Sequence, residues 1–81
     1  MVYLIRTTDE HTFEEFEVVD TDDRKIAIFE YADRMRFMES GLSMMLLYSA
    51  TFNPDEDRDS VNPMDICEVV IESQCSGEYQ R

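Results

Sequence analysis

Apolar and polar positions alternate along this chain, then cycle at helical spacing, then alternate again. Those changes of period divide it into elements. Residues 2–7 (VYLIRT) are dense in β-branched and aromatic side chains and predict a strand. Residues 8–12 are polar and turn-like. Across 13–19 (FEEFEVV) the alternation is looser. Phe16 and Val18 share a side with Glu14, while Phe13 and Val19 share the other with Glu15 and Glu17. This predicts a second strand, hairpin-paired with the first. At 20–23 the pattern becomes that of a helix start: Asp20 or Thr21 can cap, and Asp22 and Asp23 fall where the helix dipole favours carboxylates. From 22 to 39 the spacing predicts a helix, with Ile28, Tyr31, Ala32, Met35 and Met38 on one stripe and Gly41 in its C-cap region.

Residues 42–52 (LSMMLLYSATF) predict a third strand that is apolar on both faces. Met44, Leu46 and Tyr48 lie on one, Met45 and Leu47 on the other, as in a strand buried on two sides. Residues 53–63 read as a long polar loop holding both prolines. Residues 64–73 (MDICEVVIES) alternate as a fourth strand, with Cys67, Val69 and Ile71 on one face and Ile66, Glu68, Val70 and Glu72 on the other. The tail, 74–81, is polar and expected to end loosely.

The order β-β-α-β-β predicts an α+β two-layer domain: a four-stranded antiparallel sheet with one helix packed on one face. A length of 81 residues holds one domain, 1–81. This arrangement leaves an apolar surplus. The uncovered sheet face would carry Met45, Leu47, Ile66 and Val70, and the helix has a second apolar set in Ile26, Phe29 and Phe37. Two readings stay open. Loops cover part of the sheet, or Phe29, Phe37, Met45, Leu47, Ile66 and Val70 form a contact surface for a homodimer or a partner. Met35, Met38, Met44, Met45 and Met64 divide the same way, between core and an adaptable apolar surface.

Charge changes the picture more than any motif. The chain has 19 Asp and Glu against 7 Lys and Arg, for a formal net charge of -12. That balance argues against direct binding to nucleic acid or to an anionic membrane, which need a basic footprint. No apolar run approaches the roughly 20 residues of a membrane span, and Asp9 and Glu10 stand where a signal peptide would be apolar. Two cysteines make no disulfide framework and suit a reducing compartment, so the expected location is the cytoplasm. The single lysine, Lys25, is a halophile trait, but two glycines and three alanines do not fit that composition.

The charge is concentrated. Asp9, Glu10, Glu14, Glu15, Glu17, Asp20, Asp22 and Asp23 lie in a stretch without Lys or Arg, and this stretch holds two thirds of the net charge. Asp55, Glu56, Asp57 and Asp59 form a second cluster, against Arg58. On a hairpin rising about 3.3 Å per residue, the first run gives roughly one charge per 3 Å of length. Duplex DNA shows one per about 1.7 Å. The densities agree within a factor of about two, so a basic groove built for phosphate could accept this surface. The expected function is therefore a small protein-binding inhibitor that mimics DNA. Small acidic proteins of phages that block restriction or CRISPR effectors are of this kind. The competing reading is a non-catalytic oligomeric or adaptor module with an apolar interface and a solubilising acidic surface.

Other chemistry finds little footing. Asp55, Asp57 and Asp59 open like a calcium loop, but Ser60 stands where glycine is needed and Ile66 where the bidentate Glu is needed. His11 is the only histidine, and with Cys67 and Cys75 it makes no structural zinc spacing. Cys67, on the expected core face of a strand, would be inert as a nucleophile. No cofactor, metal or catalytic residue is expected, and the chain does not read as an enzyme.

Overall fold

The computed structural model describes residues 1–57 and 59–75, and side chains through residue 72. It is a four-stranded antiparallel sheet with one long helix, the expected α+β arrangement. The elements are β1 (Val2–Thr8), β2 (Glu14–Val19), α1 (Arg24–Met35), β3 (Leu42–Ser49), α2 (Pro63–Ile66) and β4 (Glu68–Cys75). Strand order is β2-β1-β3-β4, with every neighbouring pair antiparallel. The hairpin β1-β2 places β2 at one edge. The chain then crosses through α1 to β3, on the far side of β1, and β4 closes the other edge.

Helix α1 is shorter than the periodicity predicts, because capping sets both ends. Asp23, in extended conformation, is the N-cap, and its carboxylate accepts from Lys25 N at 2.8 Å. Thr21 holds the preceding turn by accepting from Asp23 N at 3.0 Å. After Met35 the bonds tighten to Phe37 N→Arg34 O and Met38 N→Met35 O, which ends the helix before 39. Gly41, at φ 91°, serves the turn into β3 rather than the helix end. Ala27 and Tyr31 are the buried positions of α1, and Ile28, Met35 and Met38 pack beside them. Ala32, expected on this stripe, is exposed. At 3.6 residues per turn it lies about 100° from the line through Ala27, Tyr31 and Met35.

The first core lies between α1 and the sheet. Tyr3, Ile5, Val19, Met44 and Leu46 meet Ala27 and Tyr31 there. The Tyr31 hydroxyl donates to the Met44 carbonyl at 3.0 Å, tying helix to sheet inside the core. A second core occupies the opposite face. There Val2, Leu4 and Leu47 are covered by Phe52, with Phe16, Val18, Met45, Val61, Met64 and Cys67 around them. The apolar surplus is thus partly resolved by the segment between β3 and β4, which folds back over the sheet.

Three expectations change for that reason. The third strand stops at Ser49 instead of 52, because the Ser49 hydroxyl accepts from Thr51 N and Phe52 N and turns the chain. Phe52 then points back to the sheet and is 5% exposed. Residues 64–66, expected to begin the fourth strand, join Pro63 of the expected loop in α2: Asn62 caps it by accepting from Met64 N, and Pro63 occupies its first turn. Strand β4 begins at Glu68 and runs to Cys75, past the expected end at 73, so only 76–81 of the expected tail lie outside the described residues.

A bulge between Leu46 and Leu47 breaks the alternation of β4. Leu46 faces Ile71 and Leu47 faces Val69, leaving Val70 as the extra residue. Val70 and Ile71 therefore both pack toward the helix side, while Cys67 joins the opposite core. Val70 was expected on the uncovered face, and Cys67 and Ile71 on a common face. Burial pushes the Cys67 thiol up from its ordinary pKa, against a smaller lowering by its hydrogen bond with Ser49.

Candidate protein-binding site

Strand β2 and the 50–63 segment bring a member of each acidic cluster, Glu14 and Asp59, to one flank. A groove of about 470 Å³ runs between them. Leu4, Phe16 and Val18 line it from the sheet, and Phe52, Val61 and Pro63 from the returning segment. Glu14 stands on one bank and Asp59 on the other. A second depression of about 390 Å³ continues past the end of β2, with Asp20 and Asp22 on one side and Thr51 to Pro54 on the other. The two share Val18, Phe52 and Pro54. Acids 45 residues apart in sequence, Glu14 and Asp59, thus rim one trough of mixed polar and apolar lining.

The fold also supplies bases to a run that has none in sequence. Arg6, from β1, bonds Glu14 at 2.8 Å. Arg34, from α1, pairs with Glu17. Eight carboxylates less these two arginines leave six negative charges on the stretch. Both pairs are partly exposed, so each contributes little to stability.

Other acids in the set hold the backbone. The Asp9 carboxylate accepts from His11 N at 2.8 Å and Phe13 N at 3.1 Å, and so shapes the β1-β2 turn. Asp23 caps α1. The Asp57 carboxylate accepts from Asn53 N at 3.0 Å, and the Asn53 side chain accepts from Asp55 N. The Asp55–Asp59 alternation is therefore tied into a turn of its own loop. Among the described residues no three His, Cys, Asp or Glu side chains converge as a metal site, and no helix is long and apolar enough to cross a membrane.

Seven of the twelve carboxylates remain without a described base or a backbone bond to their side chain: Glu10, Glu15, Asp20, Asp22, Asp55, Glu56 and Asp59. All seven are exposed: Glu10 and Glu15 on the hairpin, Asp20 and Asp22 after it, and Asp55, Glu56 and Asp59 on the loop. 

The apolar set does not assemble into one surface. Leu47 is fully buried in the second core. Val70 packs on the helix side, and Met45 is half-buried beside Arg6, whose guanidinium lies 3.9 Å from its sulfur. Phe29, Phe37 and Ile66 are exposed, at 71%, 75% and 42%. Ile66 belongs to α2, whereas Phe29 and Phe37 are on or just beyond α1. The methionines mostly serve the cores: Met44 is buried, and Met35, Met38, Met45 and Met64 pack around the two clusters.

Sequence reasoning missed the groove. Phe16 and Val18 were legible as one face of β2, but their neighbours Phe52, Val61 and Pro63 belonged to segments read as strand end and polar loop. The signal that could have been used is Asn62-Pro63 with Asp65 behind it, an N-cap, first-turn proline and first-turn acid. No family model, curated protein or solved structure matches this chain.

Proposed function

We propose that this chain is a small acidic protein-binding inhibitor that occupies the basic, nucleic-acid-binding groove of an effector protein, in the manner of a DNA mimic. The observation that supports it is the set of seven exposed carboxylates without a described base or backbone bond on the β1-β2 hairpin, the turn after it and the 50–63 segment, of which Asp20, Asp22 and Asp59 line the two depressions. A basic groove evolved for phosphate would meet fixed negative charge there, and encounter would be electrostatically steered. Effectors of the restriction and CRISPR type are the class of partner this reading favours, in the cytoplasm of a host cell. No catalytic step is part of the proposal.

The test is binding to purified nucleic-acid-binding effectors at about 50 mM and about 500 mM salt, with duplex DNA as competitor. Screening over this range shortens the Debye length from more than about 10 Å to a few ångströms. Affinity should fall at least about tenfold, and DNA should displace the chain. Replacing Glu15, Asp20 and Asp22 by Gln, Asn and Asn should slow association while leaving the fold intact. Salt-independent binding, or failure of DNA to compete, would overturn the proposal.

A further inference from the structure

The groove lies beside a free sheet edge, and the two together describe a more specific ligand than charge alone. Among the described residues, strand β2 pairs with β1 and nothing else. Its ladder can be phased from the hairpin end. Asp9 N donates to Phe13 O, and the same register pairs Thr8 with Glu14 and Thr7 with Glu15. Hydrogen-bonded pairs alternate with non-bonded ones in an antiparallel ladder. Residues 15, 17 and 19 therefore bond inward to β1. Glu14, Phe16 and Val18 turn their N–H and C=O groups outward.

Those three residues are also the ones that line the groove from β2. An incoming strand would find three donors and three acceptors on the edge, and a partly apolar trough beneath every second side chain. Its remaining side chains would lie on the other face, beside Glu15 and Glu17, where Glu15 has no described base. Recognition by strand addition works in this way, with main-chain bonds for affinity and alternate side chains for selectivity.

We propose that β2 accepts, by strand addition, an extended segment of a partner protein in which apolar and basic residues alternate. Apolar side chains enter the trough over Phe16 and Val18, and Lys or Arg side chains meet Glu15. A second copy of this chain is the poorer occupant, although Arg34 already offsets part of the Glu17 charge. Pairing two β2 strands antiparallel about Phe16 sets Glu15 of each copy opposite Glu17 of the other, with Cβ atoms about 5 Å apart and like charges facing. The same acids that attract a basic strand thus keep the edge from pairing with itself.

The inference rests on the reading of this flank as a surface for a basic partner, and one experiment separates the two. The probes are two synthetic peptides of about six residues, the length of β2, with identical composition. One alternates Lys and Val; the other has its lysines and valines in two blocks. The intact chain is titrated with each at low and high salt, and amide hydrogen exchange along β2 is followed. The alternating peptide should bind about tenfold tighter. It should slow exchange at Glu14, Phe16 and Val18, which exchange rapidly in the free chain, and leave the already slow 15, 17 and 19 unchanged. Equal, salt-sensitive binding of both peptides without protection at 14, 16 and 18 overturns strand addition and leaves the acidic-surface reading standing. Absence of salt-sensitive binding by either peptide overturns both.

Discussion

The Tyr31 hydroxyl shows how much one polar atom can specify in a small core. Tyr31 sits on the apolar stripe of α1, so periodicity assigns it a hydrophobic role. Its ring has that role, but its hydroxyl reaches the Met44 carbonyl at 3.0 Å within the first core. A buried polar atom without a partner would cost free energy, so the bond fixes how the helix sits on β3. Replacing Tyr31 by Phe should lower stability by about 1 kcal/mol while keeping the ring packing. Chemical denaturation would measure it. Asp23 and Asp9 make the same point for the acids. Both were candidate contact residues, and both also satisfy backbone donors. A residue's type announced a charge, but not whether that charge was already engaged.

At the scale of elements, the segment between β3 and β4 matters most. Its composition is largely that of a polar loop, and Phe52, Val61, Met64 and Cys67 are the side chains it packs against the sheet. Those residues are enough to cover Leu4 and Leu47 and to create a second core. Phe52 is the central cover at 5% exposure, and its position follows from the Ser49 turn. Phe52→Ala should cost about 3 to 4 kcal/mol, the range for removing a buried aromatic ring. It should also open the groove on the β2 flank and speed amide exchange on that face of β1. A cost below about 1 kcal/mol would mean that the segment does not stabilise the sheet. The β1-β2 hairpin, α1 and β3 were readable from period and turn chemistry alone. The start of β4 was not, because the alternation of 64–73 continues through the short helix and a bulge that no local pattern reports.

At the scale of the whole molecule, the net charge of -12 acts on folding as well as on binding. Carboxylates crowded along β2 and the returning segment repel each other in the native state and relax on unfolding. Salt should therefore stabilise this fold. Raising sodium chloride from about 10 mM to about 300 mM should raise the melting temperature, even though it also screens the Arg6-Glu14 and Arg34-Glu17 pairs. Thermal unfolding at fixed protein concentration would show it, and a falling melting temperature would mean that the ion pairs outweigh the repulsion. Salt is then expected to act in opposite directions on stability and on partner binding.

The local pattern determined the order of the four strands and the long helix, the α+β class and the faces of β2 and β3, because those depend on residue spacing of two and 3.6 along a continuous stretch. It also determined where the negative charge lies along the chain. Tertiary structure alone decided which acids remain free. Arg6 and Arg34 come from other elements, and no spacing within 9–23 could reveal them. Strand order decided that β2 is an edge, and the fold of 50–63 decided that Glu14 and Asp59 face each other across one trough. These are contacts between segments distant in sequence, set by how a small sheet buries both of its faces.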